Sequence, residues 1–171
     1  HQLSYVVGQE AFDRGMKRYF NQWSYKHPTP NDLKRIMEKE SGLELDWYWE
    51  HWVGTTKTID YGIKSLSKTS DNGSELVLER IGQMPMPLDV VVTYKNGSKE
   101  TFYSPLEIMR GEKSEPTTGK RTLLPDWPWT YPEYSFKIPA AITDISTIEL
   151  DPSHRMADMV LENNIYPAPN R

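Results

Sequence analysis

One change of pattern constrains the fold of this chain more than any other feature. Across Gly8–Tyr61 the apolar and aromatic residues recur at spacings of three and four, which predicts three short helices. From Lys57 onward they recur at every second position, which is typical of strands. The switch predicts an α+β protein with a helical domain at 1–56 and a strand-rich domain at 57–171.

The first of these helices is predicted to be strongly amphipathic. It follows Gly8, which suits the residue after a helix end, and its opposite face is filled by charged and amide side chains. We expect its apolar face to be buried. That face consists of Phe12, Met16, Tyr19, Phe20 and Trp23.

Capping residues predict where the next two helices begin and end. Thr29 suits an N-cap, with proline after it and Asp32 in the first turn, and Gly42 suits the end of the same helix. A third helix is predicted to begin near Asp46 and to stop at Gly54.

The helical domain carries more aromatic surface than three short helices can cover among themselves. We therefore expect part of it to face another domain. The chain starts with His1, and Leu3, Val6 and Val7 already follow a helical spacing. We interpret this start as a chain cut within a helix, so that the partner domain lies upstream.

The second half predicts six or seven short strands joined by turns, as in an antiparallel β-sandwich. The clearest hairpin is PLDVVVTYKNGSKETFY, in which Asn96-Gly97 is the dipeptide preferred in a type I′ turn. Further strands are predicted around Ile59–Ile63, around Leu76 and Leu78, and at Ser135–Pro139 and Ile145–Leu150. The polar stretch 112–120 predicts a surface loop.

Composition excludes several classes of function. The net charge of −4 and the pI near 5.6 leave no basic surface for nucleic acid or anionic membrane. No apolar run is long enough to span a bilayer, and the chain has no cysteine for a disulfide or a thiolate site. We expect no nucleic-acid partner and no membrane span.

No motif in the chain predicts catalysis or metal binding. None of the four histidines begins an H-E-x-x-H motif, and there is no G-x-S-x-G or phosphate-binding loop. His154 and Asp158 could share a helix face, but such a pair is more often a surface contact. A solvated helix face is a simpler explanation than a metal site for the carboxylates Glu38, Glu40, Glu44 and Asp46. A hairpin turn is likewise a simpler explanation than a calcium loop for the run at 70–75. Met84 and Met86 are expected to pack in the core or between domains. We predict no catalytic residue and no metal ligand in this chain.

One aromatic segment leaves two interpretations open. Trp127, Trp129, Tyr131 and Tyr134 could form a platform for a glycan or an extended peptide. Alternatively, the prolines between them could fix a rigid segment that packs over the sandwich or against another domain.

The helical domain resembles the C-terminal end of the catalytic domain in the M1 family of zinc metallopeptidases, the aminopeptidase N and leukotriene A4 hydrolase group. The resemblance rests on Gly8, Phe12, Tyr19-Phe20, Trp23, Thr29 with Asp32, and the tryptophans 47, 49 and 52. The segments TTKTIDYGIKS, LERIGQMPMPLDVVVTYKNGS, DWPWTYPEY and ELDPSHRMADMVLENNIYP resemble the β-sandwich domain of the bacterial M1-like branch.

The resemblance implies the end of a thermolysin-like catalytic domain followed by an immunoglobulin-like β-sandwich. It implies a periplasmic or secreted parent that hydrolyses peptides as a zinc-dependent aminopeptidase. The family's zinc ligands and other functional residues lie upstream of the position that matches His1, so none is carried over. This chain is then expected to be inactive alone, to bind no cofactor, and to support the upstream catalytic domain of the same polypeptide. The alternative is an autonomous sandwich module that binds a glycan or peptide through the Trp127–Tyr134 segment.

Overall fold

The computed structural model describes residues 1–114 and 119–167 and contains a helical region followed by two sheets. The helices are Gln2–Val7 (α1), Gln9–Trp23 (α2), Pro30–Ser41 (α3) and Asp46–Tyr48 (α4). The chain continues from α4 as a π-helix over Trp49–Val53. Helices and strands occupy separate parts of the chain, so the predicted α+β class is confirmed.

The helix ends lie where the capping residues predict them. Gly8 separates α1 from α2 with a φ of 84°, and Gly42 ends α3 in the left-handed region with a φ of 74°. At the start of α3, Asp32 Oδ2 accepts hydrogen bonds from the Thr29 backbone N–H and hydroxyl, both at 2.7 Å. These contacts fix the short loops that turn α2 against α3.

The strands form one sheet of three and one of five. They are Tyr61–Lys68 (β1), Ser74–Arg80 (β2), Leu88–Tyr94 (β3), Lys99–Ser104 (β4), Lys120–Leu123 (β5), Glu133–Ile138 (β6), Ile145–Leu150 (β7) and Ile165–Tyr166 (β8). The smaller sheet has the order β1-β2-β6, and the larger has the order β5-β4-β3-β7-β8.

The main core lies between the two sheets. Phe102 of β4 and Phe136 of β6 meet across it with ring centroids 5.2 Å apart. Alternate residues of the central strands point into the same core, because successive side chains of a strand face opposite sides. They include Leu76, Leu78, Val90, Val92 and Ile148, all fully buried. Met84 and Met86 are also fully buried, as expected.

One strand pair departs from the antiparallel expectation. β5 runs parallel to β4, pairing Glu100 with Lys120 and Phe102 with Thr122. The predicted surface loop at 112–120 is therefore wrong at its end, where Lys120 begins a strand, and also at Lys113, whose side chain is buried. Residues 115–118 of that loop lie outside the described residues.

Two local predictions in the strands are also corrected. The β3–β4 turn is not type I′, because Gly97 has a φ of 84° while Asn96 is not left-handed. The Gly97 N–H donates to the Tyr94 carbonyl at 2.9 Å, which fits a type I turn followed by a left-handed glycine. In β1 a bulge between Ile63 and Ser65 shifts the register and breaks the expected alternation.

Candidate functional site

Helix α1 is attached to the larger sheet by buried polar contacts. The Tyr5 hydroxyl donates to the Pro87 carbonyl and accepts from the Asp89 N–H, both at 3.1 Å. The Gln2 amide donates to the Met156 carbonyl at 2.7 Å. Because each of these partners is backbone of the strand-rich region, α1 is held in one position relative to β3.

A lysine sits at the centre of this attachment. The Lys113 side chain is 1% exposed, its ammonium pairs with the Asp89 carboxylate, and it donates to the Tyr5 carbonyl at 3.3 Å. The same ammonium lies 4.1 Å from the centre of the Tyr5 ring and 5.2 Å from that of Tyr103. A buried cation needs such partners, because its desolvation is otherwise too costly. The Lys113 cluster therefore ties α1, β3 and the segment after β4 together.

A second carboxyl group lies close to the Lys113 cluster. Asp151 follows β7, and its Oδ2 accepts the Met156 N–H at 2.6 Å. Burial raises the pKa of Asp151, and the nearby Asp89 charge raises it further. Burial also raises the pKa of the Tyr5 hydroxyl, so this phenol stays protonated at neutral pH. The groups are suited to hold α1 against the larger sheet.

Three of the four acidic residues near the end of α3 lie together. The carboxylates of Glu38, Glu44 and Asp46 have oxygens within 4.8 Å of one another. Lys34 pairs with Asp46, Glu38 accepts the Leu45 N–H at 3.2 Å, and Glu44 accepts the Asp46 N–H at 3.2 Å, so all three already have partners. Burial raises the pKa of Glu38. We interpret this group as an ion-pair network that closes the turn between α3 and α4.

Glu40, the fourth of these carboxylates, faces α2 instead. It lies 2.9 Å from Arg18 Nη1 and 3.4 Å from Arg14 Nε. The hydrogen bond from Arg18 lowers the pKa of Glu40. Glu40 therefore joins α3 to α2.

The remaining metal candidates are placed in turns and loops. His154 and Asp158 share no helix: Asp158 Oδ2 accepts the Tyr61 N–H at 3.0 Å, while His154 Nε2 lies 4.0 Å from Glu149. The run at 70–75 forms the β1–β2 turn, closed by a 3.0 Å hydrogen bond from the Thr69 N–H to the Gly73 carbonyl.

The four aromatic residues of the Trp127–Tyr134 segment do not form one exposed surface. Trp127 is 2% exposed, and its ring stacks on Tyr134 at 5.2 Å and meets the edge of Tyr61 at 5.5 Å. The Trp127 indole N–H donates to the Tyr131 carbonyl at 2.9 Å. Only Trp129 and Tyr131 are exposed, at 40% and 62%.

The predicted apolar face of α2 is largely open, as expected of a helical region that carries more aromatic surface than it can cover by itself. Phe20 is 69% exposed and Met16 39%, while Phe12, Tyr19 and Trp23 are half-buried. We refer to these five residues as the α2 stripe. The fully buried residues of α2 are Ala11 and Gly15.

A small residue explains which face of α2 packs on α3. A Cβ atom at Gly15 would lie 2.6 Å from Met37 Sδ, so a larger residue here would force the Met37 side chain to move. Sequence analysis missed this contact because an apolar count ignores glycine. The pair Ala11 and Gly15, four residues apart, is the signal that could have revealed it.

The π-helix leaves a second exposed apolar area. Trp52 is 45% exposed and Val53 63%, whereas Trp47 and Tyr48 in the preceding turn are buried. The Tyr48 hydroxyl donates to the Gln2 amide oxygen at 3.1 Å, which links this turn to α1. The rings of the helical region thus divide into an enclosed set beside α1 and an open set on α2 and the π-helix.

Among the described residues, no helix is both long and apolar enough to cross a bilayer. Comparison with known proteins identifies no relative: no family model matches the chain, and no curated protein matches it either.

Proposed function

We propose that this chain is the non-catalytic C-terminal part of an M1-type zinc metallopeptidase and that its helices support the catalytic domain. In this proposal the parent hydrolyses peptides as an aminopeptidase in the periplasm or outside the cell. The parent's zinc is held by residues upstream of His1, and the two sheets form an immunoglobulin-like sandwich. The family assignment rests on the sequence resemblance described above.

The observation that carries the support role is the open α2 stripe. Apolar rings on one side of a helix usually face protein, and contiguous exposed apolar patches on soluble proteins commonly mark interaction sites. Phe20 and Met16 lie one turn apart on this side, so their exposed surfaces adjoin. A catalytic domain that covers the stripe would bury this apolar surface.

The border of the α2 stripe fits an interface between domains. Asp13 and Lys17 are exposed polar residues that follow the stripe around the helix. Interfaces commonly combine an apolar centre with a polar rim. The side of α2 that carries Ala11 and Gly15 is already occupied by α3, so the stripe remains available to an upstream domain.

The first experiment tests the family assignment. The coding sequence before His1 is read for an H-E-x-x-H helix and a downstream glutamate ligand, and the full polypeptide is purified with zinc. We expect it to hydrolyse aminoacyl-anilides and to lose this activity with a chelator, while the present chain alone has none. An upstream sequence without the motif, or hydrolysis by the chain alone, would overturn the proposal.

The second experiment tests the stripe itself in the full polypeptide. Phe20→Asp places a charge on the proposed interface, so we expect the catalytic domain to unfold at a lower temperature and to lose zinc more readily. Asn21→Asp adds the same charge on the exposed polar face of α2, outside the stripe, and serves as the control. Equal effects of the two variants would exclude a buried interface at Phe20.

The alternative of a binding module that acts through the Trp127–Tyr134 segment gains no support from the geometry. Trp127 and Tyr134 stack on each other within the protein, which leaves Trp129 and Tyr131 to contact a ligand. These two rings offer a ligand less exposed aromatic and apolar surface than the five residues of the α2 stripe.

A further inference from the structure

A cleft opens between the two sheets at strands β5 and β6. It has a volume of about 680 Å³, and its apolar lining includes Phe102, Leu124 and Ile138. An adjoining cavity of about 510 Å³ is lined by polar groups of the β3–β4 turn, among them Asn96 and Ser98. Glu100 and Lys120 line both cavities. Sites that bind small molecules and peptide side chains commonly combine such volumes with a few fixed polar groups.

The fixed polar group of this cleft is the Glu100 carboxylate. Glu100 is 5% exposed and accepts hydrogen bonds from the Thr122 hydroxyl at 2.7 Å and the Tyr94 hydroxyl at 3.0 Å. Burial by itself would raise the pKa of Glu100, but bonds from Lys120, Thr122 and Tyr94 hold it below its ordinary value. Burial and the same carboxylate raise the pKa of Tyr94 to about 12, so the phenol remains a donor. Glu100 is thus a buried anion at neutral pH.

The cation that now balances Glu100 is replaceable. Lys120 Nζ lies 2.8 Å from Glu100 Oε1, but 66% of the Lys120 side chain is exposed to solvent. Water competes for the ammonium of an exposed lysine, and holding its long side chain in one geometry costs entropy, so this pair is weaker than one in which both partners are buried. A ligand cation that enters the cleft could displace the Lys120 ammonium and reach the same carboxylate.

We propose that this cleft binds an extended peptide that carries a basic side chain next to an apolar one. The basic group pairs with Glu100 where the two cavities meet. The apolar side chain occupies the larger cavity, against Phe102 and Ile138. The proposal concerns a site separate from the α2 stripe and does not depend on the peptidase assignment.

Three features favour a peptide over a small free amine. The two cavities adjoin, so a ligand that fills both must extend beyond its cationic group. Phe102, Leu124 and Ile138 line the larger cavity alone, whereas Asn96 and Ser98 line the smaller one alone. This difference suits neighbouring side chains of different character. β5 and β6 are the outer strands of their sheets among the described residues, so each leaves main-chain donors and acceptors for an added strand.

The experiment measures binding of fluorescein-labelled acetyl-Leu-Arg-Leu-amide by anisotropy, with acetyl-Leu-Glu-Leu-amide and agmatine as competitors. We expect saturable binding of the arginine peptide and weak competition by the other two. Glu100→Gln keeps the shape of the side chain and removes its charge, and we expect it to weaken binding about tenfold or more, as for loss of a charge-assisted hydrogen bond. Thermal unfolding confirms that this variant is folded.

A second variant changes binding in the opposite direction. Lys120→Ala removes the competing ammonium and leaves Glu100, Phe102 and Ile138 in place, so we expect the arginine peptide to bind several-fold more tightly. Lys26→Ala removes an exposed lysine of the helical region and should leave binding unchanged. Weaker binding by Lys120→Ala, equal binding of the two peptides, or no binding at all would overturn the proposal. If agmatine competes as well as the unlabelled arginine peptide, the site binds a small amine, and the proposal of a peptide ligand is overturned.

Discussion

Helices α1 and α2 are neighbours in sequence but differ in how this chain uses them. α1 has six residues, of which Gln2, Ser4, Tyr5, Val6 and Val7 are buried, so it is enclosed on nearly every side. α2 has fifteen residues, of which only Ala11 and Gly15 are buried. The shorter helix is thus part of the core, and the longer one is packed along one narrow side.

The difference shows that apolar content alone does not decide which side of a helix is buried. The enclosed helix contains two polar side chains that are satisfied by specific hydrogen bonds, such as that from Gln2 to Met156. The open helix carries phenylalanine and methionine on its free side. A free side of this kind is what the support role for α2 requires, whereas α1 needs no further partner.

The largest expected effect follows from removing the ring of Tyr5. Tyr5→Ala deletes a fully buried aromatic side chain, its two hydrogen bonds and the ring beneath Lys113. We expect the free energy of unfolding to fall by about 3–5 kcal/mol, the range for truncating a buried aromatic residue. Urea unfolding of the chain measures the change. A loss below about 1 kcal/mol would mean that α1 is not part of the core.

A smaller effect is expected where α2 meets α3. Gly15→Leu forces a side chain into the space occupied by Met37, so we expect a loss of about 1–3 kcal/mol from overpacking. Met37→Ala in the same chain makes room and should recover part of the loss. Unfolding of the two single variants and the double variant gives the coupling between these residues. A coupling near zero would show that the two helices do not approach closely at Gly15.

The two helices should also differ in the sign of their pH dependence. Asp151, beside α1, has a pKa raised above its ordinary value, so the folded state keeps a proton that the unfolded state loses. The contribution of Asp151 to the free energy of unfolding is complete below its ordinary pKa of 3.8 and is lost as the pH rises through its higher pKa in the folded state. Glu40, which joins α3 to α2, has a lowered pKa, so its contribution is present above 4.5 and lost as pH falls.

Variants separate these two contributions. The unchanged chain should lose some stability as the pH rises from about 4 toward neutrality, and Asp151→Asn should abolish that part of the loss. As the pH falls through the range where carboxyl groups titrate, Glu40→Gln should likewise abolish the part of the loss that comes from Glu40. Denaturant unfolding at a series of pH values, taken as the difference from the unchanged chain, isolates each group. Differences of the same sign for both variants would contradict the assigned environments.

The sequence predicted those parts of the fold that depend on local chemistry. The capping contacts of Thr29 and the left-handed Gly42 involve residues only a few positions apart. β7 was predicted with its observed bounds, and the alternation at Leu76 and Leu78 was correct. These features need no knowledge of distant partners.

The features that sequence reasoning missed depend on contacts between distant residues. β5 is four residues long and forms by pairing in parallel with β4, so it has little periodicity of its own. Lys113 is buried because Asp89 and Tyr5 surround it, although its flanking sequence is polar. The stacking of Trp127 on Tyr134 likewise depends on how the loop folds back. Glu100 was not singled out because its pairing with Thr122 requires β5.

The smallest expected effect belongs to the open side of α2. Phe20→Ala removes a ring that is 69% exposed, so we expect the free energy of unfolding of the chain to change by no more than about 0.5 kcal/mol, as for most surface substitutions. Asn21→Ala, on the adjacent exposed position, is the matched control, and both are measured by urea unfolding beside Tyr5→Ala. If Phe20→Ala instead cost as much as a core truncation, the ring would be packed within this chain. The contrast between α1 and α2 would then fail, and with it the reason to place an upstream domain on the α2 stripe.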